Sequence, residues 1–264
     1  MVTYSFTTMK KILSLAVVLS LIISIPQRSF AWGKAGHGIV AEIAFSFLDT
    51  GTRTAIRQYL GTTTIEDAST WMDDMRSDHS YDYMKPWHYV NIEKGKEYVE
   101  TKDGNIINAL NKAISELEHR GNMSNDDIKK DLMIIFHLTG DLHMPLHVGY
   151  EDDKGGNTVQ VKYLGRPVNL HRVWDTEIIE SEKITADDCL HHIKDFNKKE
   201  INDFKKIDVV NWIQEPRSLL GDVYDFKDGT IDQVYIDKNK KVVEDQLLVA
   251  GIRLSAVLTE IFKS

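Results

Sequence analysis

Between Phe136 and His147 the chain reads F-H-L-T-G-D-L-H-M-P-L-H, placing three histidines and an aspartate directly after the apolar run Leu132-Met133-Ile134-Ile135. His137 and Asp141 are four residues apart, so on a helix they sit one turn apart on the same face. Pro145 breaks such a helix, and His147 can then swing back towards that face. Imidazole and carboxylate brought together beside an apolar wall suit a borderline-soft divalent cation such as zinc. A second one-turn pair, His171 and Asp175, lies in N-L-H-R-V-W-D. His37, Asp73 after Trp71, and His88 after Pro86-Trp87 complete a set of five histidines and three aspartates. Any one of these alone reads as a surface or capping residue. Two His-x-x-x-Asp pairs together with the interval from His137 to His147 are hard to read that way.

Side chains so far apart in sequence need a rigid frame, and the rest of the chain reads as mostly helical. Helical spacing of apolar residues predicts helices over Gly36–Leu48, Thr52–Leu60, Ile65–Met75, Asn105–His119 and Asp126–Leu142. Asn105 and either Ser124 or Asn125 are suitable caps. Tyr81–Asn91, with Pro86 and its aromatic and β-branched residues, predicts an extended segment. Gly155-Gly156-Asn157 reads as a turn, followed by a hairpin of Thr158–Tyr163 and Arg166–Leu170 around Gly165. Helices are expected over Val173–Glu180, Ala186–Phe204 and Val209–Tyr224, a second short hairpin within Val234–Val243, and an apolar closing helix over Leu247–Phe262. There is no repeat, low-complexity tract or Pro/Ser/Gly-rich linker. The 264 residues therefore predict a single multi-helix, mostly α domain with one or two small β-hairpins.

Residues 1–31 stand apart from this domain. Lys10-Lys11, the apolar run Ile12–Ile25 and Ser29-Phe30-Ala31 have the form of a secretory signal peptide cut after Ala31. The run, about fourteen residues, is short for a bilayer span. Cleavage leaves Trp32 as the first residue of a domain over 32–264, secreted or periplasmic and with no membrane attachment. The leader holds three basic residues and no acidic one, so the formal net charge moves from −8 to −11 (−8 − 3). Such acidity lacks the basic surface by which nucleic-acid-binding proteins usually declare themselves, but bound cations reverse the sign locally. Cys189 is the only cysteine. No intramolecular disulfide is possible, and stability rests on packing and any metal.

Taken in order, W-G-x-x-G-H at the expected cut, W-M-D, W-H-Y, H-L-x-G-D-x-H-x-P-L-H, G-G-N and L-H-x-x-W-D resemble the zinc-dependent single-strand-specific nucleases. These are the secreted class I nucleases of fungi, plants and bacteria. The resemblance spans Trp32 to Asp175 and continues more loosely into the closing A-G-I-R-L. It implies a phospholipase C/class I nuclease-like fold holding three Zn2+. Asp73, His88, His137 and Asp141 would hold one ion, and His147, His171 and Asp175 the second. The third would sit between His37, Asp141 and the α-amino nitrogen and carbonyl oxygen of Trp32, with Asp141 bridging two ions. A free amine binds zinc where an amide nitrogen does not, so the implied site is complete only after the leader is removed.

The implied reaction is phosphodiester hydrolysis of single-stranded DNA and RNA leaving 5′-phosphates, with 3′-nucleotidase activity, in a monomer without a stable protein partner. Divalent ions supply Lewis acidity and lower the pKa of water. Asp73 and Asp141 are the implied catalytic residues, Asp73 also orienting the attacking water. Asn157 is expected to contact phosphate or base. Tyr89, next to His88, is expected to stack on an unpaired base, against the alternative of an ordinary core aromatic.

Some positions depart from the family's pattern. Asn91 stands where an aspartate is common, with Glu93 nearby, which leaves no obvious second acid at that point. Asp74 competes with Asp73, but the order W-x-D selects Asp73. His143 falls on another helical face from Asp141 and reads as an outer-layer or solvent residue, and His79, His119, His191 and His192 read as surface residues. Two other functions compete. A zinc-dependent phospholipase C shares the helical three-zinc architecture and an N-terminal tryptophan ligand, but usually ends its last helical pair in glutamate rather than an Asp175. A non-catalytic periplasmic zinc-binding protein tends to carry mobile His-rich tracts, which this chain lacks.

Overall fold

The computed structural model of the chain describes residues 32–102 and 104–263, so the expected leader and its cut lie outside the described residues. Side-chain oxygens set most helix starts. Helix α1 spans Lys34–Phe47. Asp49 caps α2 (Thr50–Leu60) and Thr64 caps α3 (Ile65–Asp74). Asn105 caps α4 (Ile106–Glu118) in a reciprocal box with Asn108, and Ser124 rather than Asn125 caps α5 (Asn125–Leu142). Asp232 caps the closing helix α6 (Gln233–Phe262). Each cap satisfies an N–H that the helix itself leaves open, worth about 1 kcal/mol.

Helix α5 is buried on every face from Asp131 to Leu142, the pattern of a central helix. It packs against α4 and α3, while α1 packs against α3 and α6. Phe136 and Leu138 are fully buried, and each such side chain contributes roughly 1.5–3 kcal/mol. That fixes the rotation of α5, and with it the direction of His137 and Asp141. The glycine of A-G-I-R-L has a packing reason: a Cβ on Gly251 of α6 would overlap Ile43 of α1.

The expected hairpin is present as β1 (Gln160–Tyr163) and β2 (Arg166–Asn169), antiparallel with Val161 opposite Val168. It turns at Leu164 and Gly165, both left-handed with φ of 47° and 84°. A third strand, β3 (Thr230–Ile231), joins β1 in parallel.

Several elements differ from the sequence expectation. Within Tyr81–Asn91, the part up to His88 belongs to a 3₁₀-helical stretch, His79–His88, with Asp78 accepting from Ser80 N. Short 3₁₀ turns leave little for the missing N–H of Pro86 to break. The chain is extended only from Tyr89, and Ile92 then bridges Tyr150. Ala186–Phe204 is not one helix. It divides into Ala186–His191, a 3₁₀ turn His192–Asp195 and Lys198–Phe204, because Asn197 caps a new start. Val209–Tyr224 likewise divides into Val209–Trp212, Gln214–Ser218 and Leu220–Val223. The second hairpin expected in Val234–Val243 does not form; these residues open α6, where buried Ile236 and Val243 sit two turns apart on one face. Among the described residues, no helix is long and apolar enough to cross a membrane.

Candidate metal centre

Helix α5 presents His137 and Asp141, both wholly buried. Helix α1 brings His37 beside them, its ring stacked on His137 with centroids 4.0 Å apart. Gly140 makes this possible, since a Cβ there would lie 2.8 Å from His37 Nδ1. Asp73 comes from the last turn of α3, and His88 from the end of the 3₁₀ stretch. Pro145 opens a short 3₁₀ turn, Pro145–Val148, that carries His147 back to the cluster. His171 lies in the turn Leu170–Arg172, and Asp175 in the segment Val173–Glu177, which is wound as a π-helix. Such widened turns recur at functional sites. Gly33 N donates to Asp175 O at 2.8 Å, which pins the start of the described chain to this segment, with Trp32 fully buried beside it.

Asp141 lies at the centre. Its Oδ1 is 3.2 Å from His37 Nε2. Its Oδ2 is 3.0 Å from His88 Nδ1, 3.2 Å from His137 Nε2 and 3.8 Å from His147 Nδ1. Asp73 Oδ1 is 3.8 Å from His137 Nε2 and 3.9 Å from His88 Nδ1. Three groups capable of holding an ion result: His37 with Asp73 and His137; His88 with His137 and Asp141; and His147 with His171 and Asp175, the ligand atoms in each within 4.8 Å of one another. All eight side chains singled out in the sequence are thus gathered at one place, although His37 groups with Asp73 as well as lying next to Asp141.

Backbone carbonyls orient the rings. His137 Nδ1 donates to Ser69 O (2.7 Å), His147 Nδ1 to His88 O (2.5 Å) and His171 Nδ1 to Gly155 O (2.7 Å). A carbonyl can only accept, so the proton sits on Nδ1 and each Nε2 keeps a lone pair for a metal. Burial pushes His88 down to about 4, His147 to about 3 and His171 to about 4, so all three are neutral at pH 7, as ligands must be. Burial and the neighbouring His137 also lower His37. For His137 burial opposes the charge, but the Asp141 and Asp73 carboxylates outweigh it and raise its pKa. Burial likewise opposes charge on Asp141, yet His137 and His147 hold it well below the usual carboxylate range. Asp175 goes the other way, driven well above that range by burial and then by Asp73 and Asp141.

The balance is incomplete in one respect. His37 Nδ1 and Nε2, Asp141 Oδ1, His147 Nε2 and Asp175 Oδ1 are buried without an aligned hydrogen-bond partner. Orphaned atoms of this kind are rare and costly, and crowded carboxylates call for positive charge. A nitrogen-and-oxygen donor set satisfied by divalent cations fits both facts.

The cluster floors a cleft of ≈ 790 Å³ whose lining includes Arg76, His88, Tyr89, Asn91, His147, Asn157 and His171. Tyr89 is 44% exposed and so is not a core aromatic. Asn157 Nδ2 donates to Lys154 O at 2.9 Å, leaving its Oδ1 as the acceptor. Asp74 is exposed and pairs with Lys34 at 3.3 Å, so Asp73 is the aspartate that faces the cluster. Sequence reasoning passed over Arg76, whose Nε lies 2.9 Å from Asp73 Oδ1; its place three residues on in W-M-D-D-M-R was the available signal. Two histidines need correction. His143 is wholly buried and bonded to Arg253 rather than solvated. His192 is partly buried between Glu244 and Asp245. His79, His119 and His191 are exposed, as expected.

A buried ring of imidazole and carboxylate under an open cleft is the layout of a metal-dependent hydrolase, and sequence comparison gives the kind: the enzyme is a hydrolytic nuclease. The chain belongs to the S1/P1 nuclease family, whose family model matches residues 32–263. It is similar to Endonuclease 2 of Arabidopsis thaliana, 28% identical over 264 residues that cover 88% of this chain and 90% of that protein. Nuclease S1 of Aspergillus oryzae is 27% identical over 271 residues, covering 89% and 93%. Nuclease P1 of Penicillium citrinum is 24% identical over 160 residues, covering 55% and 57%.

Proposed function

We propose that the mature chain, residues 32–264, is a secreted or periplasmic endonuclease that cleaves single-stranded DNA and RNA to 5′-phosphates and also acts on 3′-nucleotides. It would hold three zinc ions. Asp73, His88, His137 and Asp141 take one, and His147, His171 and Asp175 another. His37, Asp141 and the freed α-amino nitrogen and carbonyl oxygen of Trp32 take the third. The single observation that carries this reading is the convergence of all eight side chains into three buried groups around Asp141. The pinning of Gly33 to Asp175 O supports a role for the residue just before it.

When bound, the ions supply Lewis acidity and neutralise phosphate charge. The protein's own groups do the rest. Asp73 Oδ1, paired with Arg76, would orient a water proton. Burial of the cluster keeps the dielectric low, so each charge acts strongly on the phosphate. The exposed ring of Tyr89 offers a stacking face to a base, and Asn157 Oδ1 an acceptor to its amino group. A base inside a duplex cannot reach either, which is the physical basis for single-strand preference. No feature of the structure favours the phospholipase C reading.

The test is to assay the purified mature protein on single-stranded DNA, duplex DNA, RNA, a 3′-nucleotide and phosphatidylcholine, before chelation, after it, and after zinc return. We expect cleavage of the single strands only with zinc, and about three zinc per chain. Equal rates on duplex and single strand, or lipid turnover without nucleic-acid cleavage, would refute the reading.

A further inference from the structure

We propose that Lys154 binds the phosphate adjoining the scissile one, so that the cleft favours strands carrying at least two phosphates over a single phosphodiester. This rests on the nuclease reading above and names its preferred substrate.

Two cations line the cleft, Arg76 and Lys154. Arg76 is already committed to Asp73. The Lys154 side chain has no hydrogen-bond or ion-pair partner among the described residues. In a chain of net charge −8, an uncommitted ammonium on the rim of a phosphate-cleaving cleft is well placed to attract an anion.

The backbone at Lys154 is held in a tight turn. Lys154 is left-handed with φ 56°, directly before Gly155 at 61° and Gly156 at 75°. Glycine adopts that conformation more readily than lysine, so an ordinary turn would favour glycine here too. Leu164 takes the same region at the hairpin, so the conformation marks a tight turn that fixes where the side chain starts. The turn is also rigid. Asp153 is tied at both oxygens, to Gly156 N at 2.8 Å and to Tyr224 OH at 2.6 Å. Lys154 N donates to Glu151 O at 3.1 Å, and Lys154 O accepts from Asn157 Nδ2. The next carbonyl, that of Gly155, holds the ring of His171. The base of the lysine is thus fixed relative to the metal-binding groups, while its four-carbon stem stays free to reach a neighbouring phosphate. Glu151 lies on the same rim and moderates the attraction, which limits the contact to about one phosphate.

The test compares the zinc-loaded wild type with Lys154→Ala and Lys154→Arg on two substrates: the dinucleoside monophosphate TpT, which has one phosphate, and an eight-residue oligothymidylate. Lys154→Ala should raise KM for the oligomer roughly fivefold at low salt, with kcat unchanged. It should leave TpT unaffected and flatten the slope of log KM against log salt by about 0.7, the value of one single-strand phosphate contact. Lys154→Arg should restore the oligomer kinetics. Equal losses on both substrates, or an unchanged salt slope, would overturn the proposal while leaving the nuclease reading intact. A wild type that cleaves neither substrate would overturn both.

Discussion

The last turns of α5 have two sides that treat buried polar atoms in opposite ways. On one side are His137 and Asp141, and around them buried atoms stay unmatched: both nitrogens of His37, Oδ1 of Asp141, Nε2 of His147 and Oδ1 of Asp175. On the other side is His143, also wholly buried, with both nitrogens matched. Its Nδ1 donates to Thr139 O at 2.7 Å and its Nε2 accepts from Arg253 Nη1 at 2.6 Å. Arg253 in turn pairs with Glu215 at 2.9 Å and lies over the rings of Trp212 and Phe204. Burial alone therefore does not mark a ligand. Several unmatched donor and acceptor atoms converging on one point do, unlike single unmatched atoms such as Thr139 Oγ1 and Arg253 Nε on the His143 side.

The strongest break of this contrast is Asp141→Asn. The amide keeps the shape but loses the charge that lies within 3.8 Å of four histidines. Zinc affinity should fall by at least about a hundredfold, hydrolysis should vanish, and the thermal midpoint should drop to that of the chelated wild type. Zinc content by elemental analysis and melting curves with and without chelator check this. Full zinc content in the variant would show that Asp141 is not the organising ligand.

Arg253→Met attacks the His143 side. It leaves His143 Nε2 without a donor and Glu215 with only Gln246 Nε2 at 3.2 Å, a change that costs roughly 3–5 kcal/mol for a fully buried pair. The Glu215 side chain is 32% exposed, so the lower end, about 3 kcal/mol, is expected. His143→Leu should cost less, about 1–3 kcal/mol, and the double variant less than the two together. Folded fractions of all three should keep the zinc content of the wild type. Loss of zinc at an unchanged melting temperature would erase the distinction between the two sides.

This contrast also explains what the sequence revealed. Candidate ligand pairs were legible where they occupy one helical turn, as His137 with Asp141 and His171 with Asp175 do, and where Pro145 forces the chain back. The identity of Asp73 over Asp74 was legible from its place after Trp71. His143 was not, because its partner is 110 residues away and nothing local distinguishes a solvated histidine from one under a buried arginine. Arg76 had a local signal in its spacing from Asp73. The Val234–Val243 stretch misled for a different reason: three lysines between the buried apolar positions hide the helical period, and the cap at Asp232 decides the outcome. The 3₁₀ stretch before His88 was hidden by aromatic residues that pack edge to face, as Trp71 with Tyr81 and Tyr83 with Trp87 do, instead of pairing in a sheet.

The second buried acid on α5 sharpens the comparison with the smallest effect. Asp131, buried in the seam with α4, has no imidazole partner and faces Glu116. Burial, and then the Glu116 carboxylate, raise its pKa to about 7. Asp141 sits on the same helix ten positions later and is held low by histidines, so the surroundings and not the helix set the direction. A carboxyl group whose folded pKa exceeds its unfolded value favours the fold fully below about 3.8, and that contribution is lost as pH rises through about 7. Asp131→Asn keeps a donor towards Glu116 and carries no charge. It should therefore melt close to the wild type at pH 4 and above it at pH 8, by at least about 1 kcal/mol or a few degrees. Neither zinc content nor hydrolysis should change. A stability difference that is the same at both pH values would mean that packing, and not charge, distinguishes Asp131 from the acids of the metal centre.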